Sequence, residues 1–79
     1  MTKETLIHAL GKEIRARRKL KEWTQVDLAL RAGIHPNFLS LIERGQTMAG
    51  IDSLLELADA LGITVSQLLK SAEERIGLR

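Results

Sequence analysis

The chain has 79 residues, 44% of them apolar and 28% charged, the balance of one small folded domain rather than a disordered tail. Having no Cys, it excludes a disulfide framework, a cysteine nucleophile, a thiolate zinc site and an iron–sulfur cluster. No apolar run nears the roughly 18–20 residues of a membrane span and no h-region opens the chain, so the expectation is a cytoplasmic protein with no membrane partner. The net charge of +2 is uneven: residues 1–50 hold nine Lys/Arg against five acids, a net of +4, and residues 51–79 hold three against five, a net of −2.

Apolar residues recur at spacings of three and four and never in sustained alternation, so the expected class is all-α. The first helix is expected over about Thr5 to Lys21, with Leu6, Leu10 and Ile14 on one stripe. It contains the densest basic cluster, Arg15 to Lys21, which suits either a polyanion or a solvated face. Past Trp23, Thr24 with Asp27 three residues on is a helix-start signal. That second helix runs to about Ala32, where Gly33 can take the left-handed backbone. Ile34 then points inward and His35-Pro36 opens a third helix, because proline suits the first helical position. It extends to about Arg44, with Gly45 beyond and a loop over residues 46–50. The fourth helix, about Ile51 to Leu61, is expected to bury Ile51, Leu54, Leu55, Ala58 and Leu61 ahead of Gly62. Thr64 and Gln67 cap a fifth, to about Ala72, and residues 73–79 are expected to fray. These elements make a compact five-helix bundle, one domain over 1–79 with a core of about 6–72.

Two short helices joined by a tight, Gly-containing turn describe a helix-turn-helix, here about residues 24–44. Ala29 is small where the helix axes cross, Gly33 permits the turn, and Leu28, Ala32, Ile34, Leu39 and Ile42 seal the pair against the other helices. No proline interrupts Gln25 to Ile34.

The series Leu10-Gly11, Ile14-Arg15, Arg18, Trp23-Thr24-Gln25, Leu28-Ala29, Gly33-Ile34, Leu39-Ser40 and Ile42-Glu43-Arg44-Gly45 resembles the Cro/XRE family of helix-turn-helix DNA-binding regulators. With Leu54, Leu57-Ala58 and Ala60-Leu61-Gly62 the likeness covers about residues 6–70. It implies a lambda-repressor-like fold, double-stranded DNA as partner, and no cofactor. Small size, the Ile42-to-Gly45 turn and the short fifth helix look most like restriction–modification controller proteins, which implies a homodimer regulating its own and the endonuclease gene. Phage or plasmid repressors and DNA-binding antitoxins share most of these marks. A helix-turn-helix kept as a protein–protein adaptor is the reading from another class.

In a helix-turn-helix the second helix enters the major groove N-terminus first, which nominates Pro36, Asn37, Phe38, Ser40, Leu41 and Arg44, while His35 at the N-cap position suits capping or a DNA phosphate. Asn37 suits adenine and Arg44 suits guanine. Phe38 serves either a thymine methyl or the core. Gln25, at a helix start, suits a phosphate or is a polar helix-start residue. Three positions depart from the controller pattern: Pro36 where many relatives have a basic or hydroxyl residue, Phe38 for Tyr, and Thr47 where arginine is common. Resemblance pairs Arg18 with Glu43 as a structural tie between the first and third helices. Arg15 and Arg17 remain as backbone-contact candidates, Arg17 equally as solvated charge. Val65, Leu68 and Leu69 form an apolar edge on helix five (about 64–72), read either as a dimer contact or as cover for Leu55 and Leu61. His8 and His35 lie 27 positions apart, with no carboxylates at ligand spacing, no phosphate loop and no nucleophile elbow. The expectation is no enzyme, no metal and no small-molecule ligand, with RNA polymerase recruited or excluded according to where the DNA site lies.

Overall fold

The computed structural model describes residues 2–77. Its helices are α1 (Lys3–Leu20), α2 (Gln25–Ala32), α3 (Pro36–Glu43), α4 (Ile51–Leu61) and α5 (Val65–Arg75). The described residues contain no strand.

Local chemistry sets the helix starts. The Thr2 hydroxyl accepts the Thr5 N–H at 3.1 Å, so α1 begins at Lys3 rather than near Thr5. At α2 the Thr24 hydroxyl accepts the Asp27 N–H at 3.1 Å while the Asp27 carboxylate accepts the Thr24 N–H at 2.8 Å. Thr64 and Gln67 make the same reciprocal pair at α5, satisfying donors that a helix start otherwise leaves unpaired. His35 caps α3: its Nδ1 accepts the Asn37 N–H at 3.0 Å, and Pro36 follows as the first helical residue. The far end of α5 corrects the expected fray. The helix continues through Glu73 and Glu74 to Arg75, whose Nε donates to Glu13 Oε1 at 2.7 Å. Leu78 and Arg79 lie outside the described residues.

Packing joins α1 mainly to α5 and α3, and α2 to α4 and α3. Ile14, Leu28, Leu39, Ile42, Leu57 and Leu68 are the large side chains fully enclosed at the centre. The approach of α1 to α3 is close enough to require a residue without a side chain. A Cβ on Gly11 would overlap the Ile42 carbonyl and lie 2.8 Å from Glu43 O.

Two expectations about the core are corrected. Ile51 and Leu55 are 66% and 56% exposed, and Leu57 is the α4 residue that is buried instead. At 100° per residue Leu54, Leu57, Ala58 and Leu61 make one stripe, and Ile51 and Leu55 fall on its flank. Leu68, nominated for a second copy, is 0% exposed and belongs to the protomer's own core. Val65 and Leu69 are half-buried against the same core.

The α2 cap is sensitive to acid. The Thr24 backbone hydrogen bond, then its side chain, lower the Asp27 pKa below the usual value, and Arg31 adds to the effect. A carboxylate with a lowered folded pKa contributes stability that is complete above its unfolded pKa and disappears as the pH falls through the folded value. Thermal melts across that acidic window should show a declining Tm, with a shallower decline in Asp27→Asn. Identical pH dependence in the two proteins would contradict a role for this carboxylate.

Candidate nucleic-acid interface

The α2–α3 unit turns at Gly33, whose backbone sits at φ +73°. The Ile34 N–H reaches back to Ala29 O at 3.0 Å, and Ala29 itself is fully buried beneath the turn. Within this unit α3 buries Leu39 and Ile42. Its other side is open: His35, Asn37 and Arg44 are exposed, while Pro36, Phe38, Ser40, Leu41 and, in the following loop, Thr47 are half-buried. Phe38 packs against the core cluster. Arg44 lies back along the helix with its Nε donating to Ser40 O at 3.3 Å.

A buried ion pair sets the angle between these pieces. Arg18 Nε donates to Glu43 Oε2 at 2.8 Å and Nη2 donates to Oε1 at 3.0 Å, a two-point contact that fixes both planes. The side chains are only 9% and 2% exposed. Arg18 Nη1 also donates to the Trp23 carbonyl at 2.8 Å, directly before the α2 cap. One guanidinium therefore links α1, the entry to α2 and the last residue of α3.

Gln25 joins this pair, which sequence reasoning missed. Its Nε2 donates to Glu43 Oε1 at 3.0 Å. A primary amide carries two N–H donors, so one remains for an external acceptor. The two residues are 18 positions apart and share no local pattern, so no sequence signal marks the contact.

Arg15 is exposed on α1, but Arg17 has an internal role. Its Nε donates to Glu13 Oε2 at 2.7 Å and its Nη2 to the Ser71 hydroxyl at 3.0 Å. Glu13 also holds Arg75 at 2.7 Å, so this second network closes α1 onto α5, and neither sequence alternative for Arg17 describes it. Among the described residues, no cluster of three or more His, Cys, Asp or Glu is placed to hold a metal ion, and no helix is long and apolar enough to cross a membrane.

Residues 14–68 match the helix-turn-helix family. The chain is 38% identical over 60 residues to the immunity repressor protein of Bacillus phage phi105, a match covering 76% of this chain and 42% of that protein. It thus spans less than half of that relative's length. Among solved structures, the clp gene regulator ClgR from Corynebacterium glutamicum superposes with a TM-score of 0.85 at 32% identity, over 90% of this chain and 76% of that one. The restriction–modification controller protein C.AhdI from Aeromonas hydrophila gives a TM-score of 0.76 at 31% identity, over 78% of this chain and 94% of that one.

The two charge networks should differ in weight. Glu43→Ala leaves the Arg18 guanidinium enclosed without its counter-ion, a loss of about 3–5 kcal/mol. Arg75→Ala removes the more exposed member of the Glu13 network and should cost about 1 kcal/mol or less. Urea unfolding of both variants checks this. Losses of equal size would contradict the assignment of Arg18–Glu43 as the central tie.

Proposed function

Because the chain belongs to the helix-turn-helix family of Cro/XRE-type transcription regulators, we propose that it binds double-stranded DNA sequence-specifically, as a dimer on a palindromic operator. The observation that carries this reading is the open side of α3. It is short, capped by a residue that also faces out, and held to α1 by the Arg18–Glu43 pair and to α2 by Gln25 on the same carboxylate. In such a unit α3 enters the major groove from its N-terminus. In this reading the exposed Asn37 reads adenine, and Arg44 reads guanine once it leaves Ser40 O. Ser40, Leu41, Pro36 and Phe38 line the same helix, with His35 at its start and Thr47 past its end. Gln25 at the α2 start takes a phosphate with its remaining N–H, supported by the positive end of the helix.

A dimer needs exposed apolar surface, and with Leu68 enclosed the proposal takes α4 and the loop before it. Met48, Ile51 and Leu55 are 51%, 66% and 56% exposed, and the latter two are one turn apart. A two-fold helix-turn-helix dimer on a palindromic site carries its α3 helices about 34 Å apart, one turn of DNA. A restriction–modification controller regulating its own and the endonuclease gene is the more specific form of the proposal, supported by the match over 94% of C.AhdI. A repressor of the phage type has the phi105 protein in its favour, over 42% of that protein. In either form the regulator acts by occupying its site, excluding or recruiting RNA polymerase according to promoter geometry.

Fluorescence anisotropy with the DNA upstream of the gene and a scrambled duplex tests the reading. Specific binding should be about 10³-fold or more the tighter of the two. Arg44→Ala should cost about 1–3 kcal/mol on the specific site and relax preference at one base pair. Gln25→Ala should weaken both duplexes alike. Equal binding of both duplexes by the unaltered protein would overturn specific recognition of the DNA upstream of its gene. For the dimer, Leu55→Glu should sediment as a monomer with its helix content kept, and a variant that still pairs would move the interface elsewhere.

A further inference from the structure

A second charged feature lies on α1, and the reading above does not use it. Lys12, Arg15 and Lys19 are exposed and follow one another at spacings of three and four. At 100° per residue they fall within a sector of about 60°, which the exposed His8 shares. Leu10 and Ile14, buried on the same helix, lie on its opposite side. Between His8 and Lys19 the sector holds no acid. Glu13, the carboxylate in that stretch, is turned inward between Arg17 and Arg75. The ion pairs among the described residues engage Arg17, Arg18 and Arg75, and none engages Lys12, Arg15 or Lys19.

Packing ties this stripe to α3. Gly11 sits against the Ile42 and Glu43 carbonyls, and the His8 ring lies against Gly45, where a Cβ would overlap it. Thus α1 flanks the C-terminal end of α3 and the turn that follows Arg44. Exposed acids lie outside this stretch: Glu4 in the first turn of α1, Glu22 just past its end, Asp52, Glu56 and Asp59 on α4 and Glu74 on α5. Lys12 to Lys19 covers about 10 Å of helix axis at 1.5 Å per residue. One strand of B-DNA offers a phosphate about every 3.4 Å along its axis, so the stripe matches about three phosphates.

Resting on the DNA-binding reading, we infer that Lys12, Arg15 and Lys19 form a phosphate-binding stripe that takes the sugar–phosphate backbone beside the groove entered by α3. Its contribution is affinity and salt dependence rather than sequence preference, because phosphate contacts release counterions and carry no base information.

The test is a salt titration of binding to a random-sequence duplex and to the upstream DNA, comparing the unaltered protein with a Lys12→Gln, Arg15→Gln, Lys19→Gln triple variant. Glutamine keeps the exposed helix positions favourable, and far-UV circular dichroism checks the fold. The slope of log affinity against log salt should shrink by about 2–3, near 0.9 per phosphate lost, with the ratio of specific to random binding unchanged. Should the triple variant lose helix, Arg15→Gln alone should shrink the slope by about one. An unchanged slope in a protein that binds both duplexes overturns the stripe and leaves the regulator reading standing. No binding of either duplex by the unaltered protein overturns that reading and the stripe with it. Self-association that weakens in the triple variant at an unchanged slope assigns the stripe to the Asp52, Glu56 and Asp59 face of a second copy, and overturns it as a DNA contact.

Discussion

One buried guanidinium–carboxylate contact, Arg18 with Glu43, determines how the other parts of this chain face outward. Both Glu43 oxygens receive Arg18, one of them also receives Gln25, and the third Arg18 nitrogen holds the Trp23 carbonyl. Donors from α1 and α2 thereby meet at the one α3 carboxylate, and the same guanidinium holds the α1–α2 connection. Its worth is geometric more than energetic. A well-packed apolar replacement of a buried ion pair is often as stable, whereas losing one partner is costly. Such a replacement, though, has no acceptor for Gln25 and no donor for the start of α2.

The apolar core is small, and the polar networks extend it. Gly11 brings α1 against the α3 backbone, and Ala29 lets α2 lie close above the turn. On the other flank of α1, Glu13 gathers Arg17 and Arg75, and Arg17 reaches Ser71. Glu13 thus joins α1 to α5, while Glu43 of α3 joins that helix to Arg18 of α1. This arrangement leaves α1 with the inward-turned Arg17 and Arg18 and the outward-turned Lys12, Arg15 and Lys19. Two populations of cations on one helix thus have different surroundings.

What was legible in the amino-acid sequence is what acts over a turn or two. Thr24 with Asp27, Gly33, His35-Pro36 and Thr64 with Gln67 mark their helix ends through contacts within a few residues, and the structure has each in place. The helix-turn-helix followed from these marks. Arg18 and Glu43 were paired by family likeness, and their distance in the structure is that of a direct ion pair. Illegible were the contacts across long separations: 18 positions for Gln25 and Glu43, 54 for Arg17 and Ser71, 62 for Glu13 and Arg75. The face of α4 failed for another reason. Ile51, Leu54, Leu55, Leu57, Ala58 and Leu61 make an apolar band wider than the core can enclose, so its neighbours decide which members stay outside. Leu68 sits on a helix-five edge whose sequence suits a dimer contact and core cover alike, and the structure encloses it fully.

The central claim is that α3 reads a two-fold DNA site from the position this clamp sets. Hydroxyl-radical footprinting on the DNA upstream of the gene tests it most directly. The account predicts two protected half-sites centred about 10–10.5 base pairs apart, one helical turn, with symmetry about the point between them. Protection spread evenly along the duplex, or a single half-site at saturating protein, would contradict it.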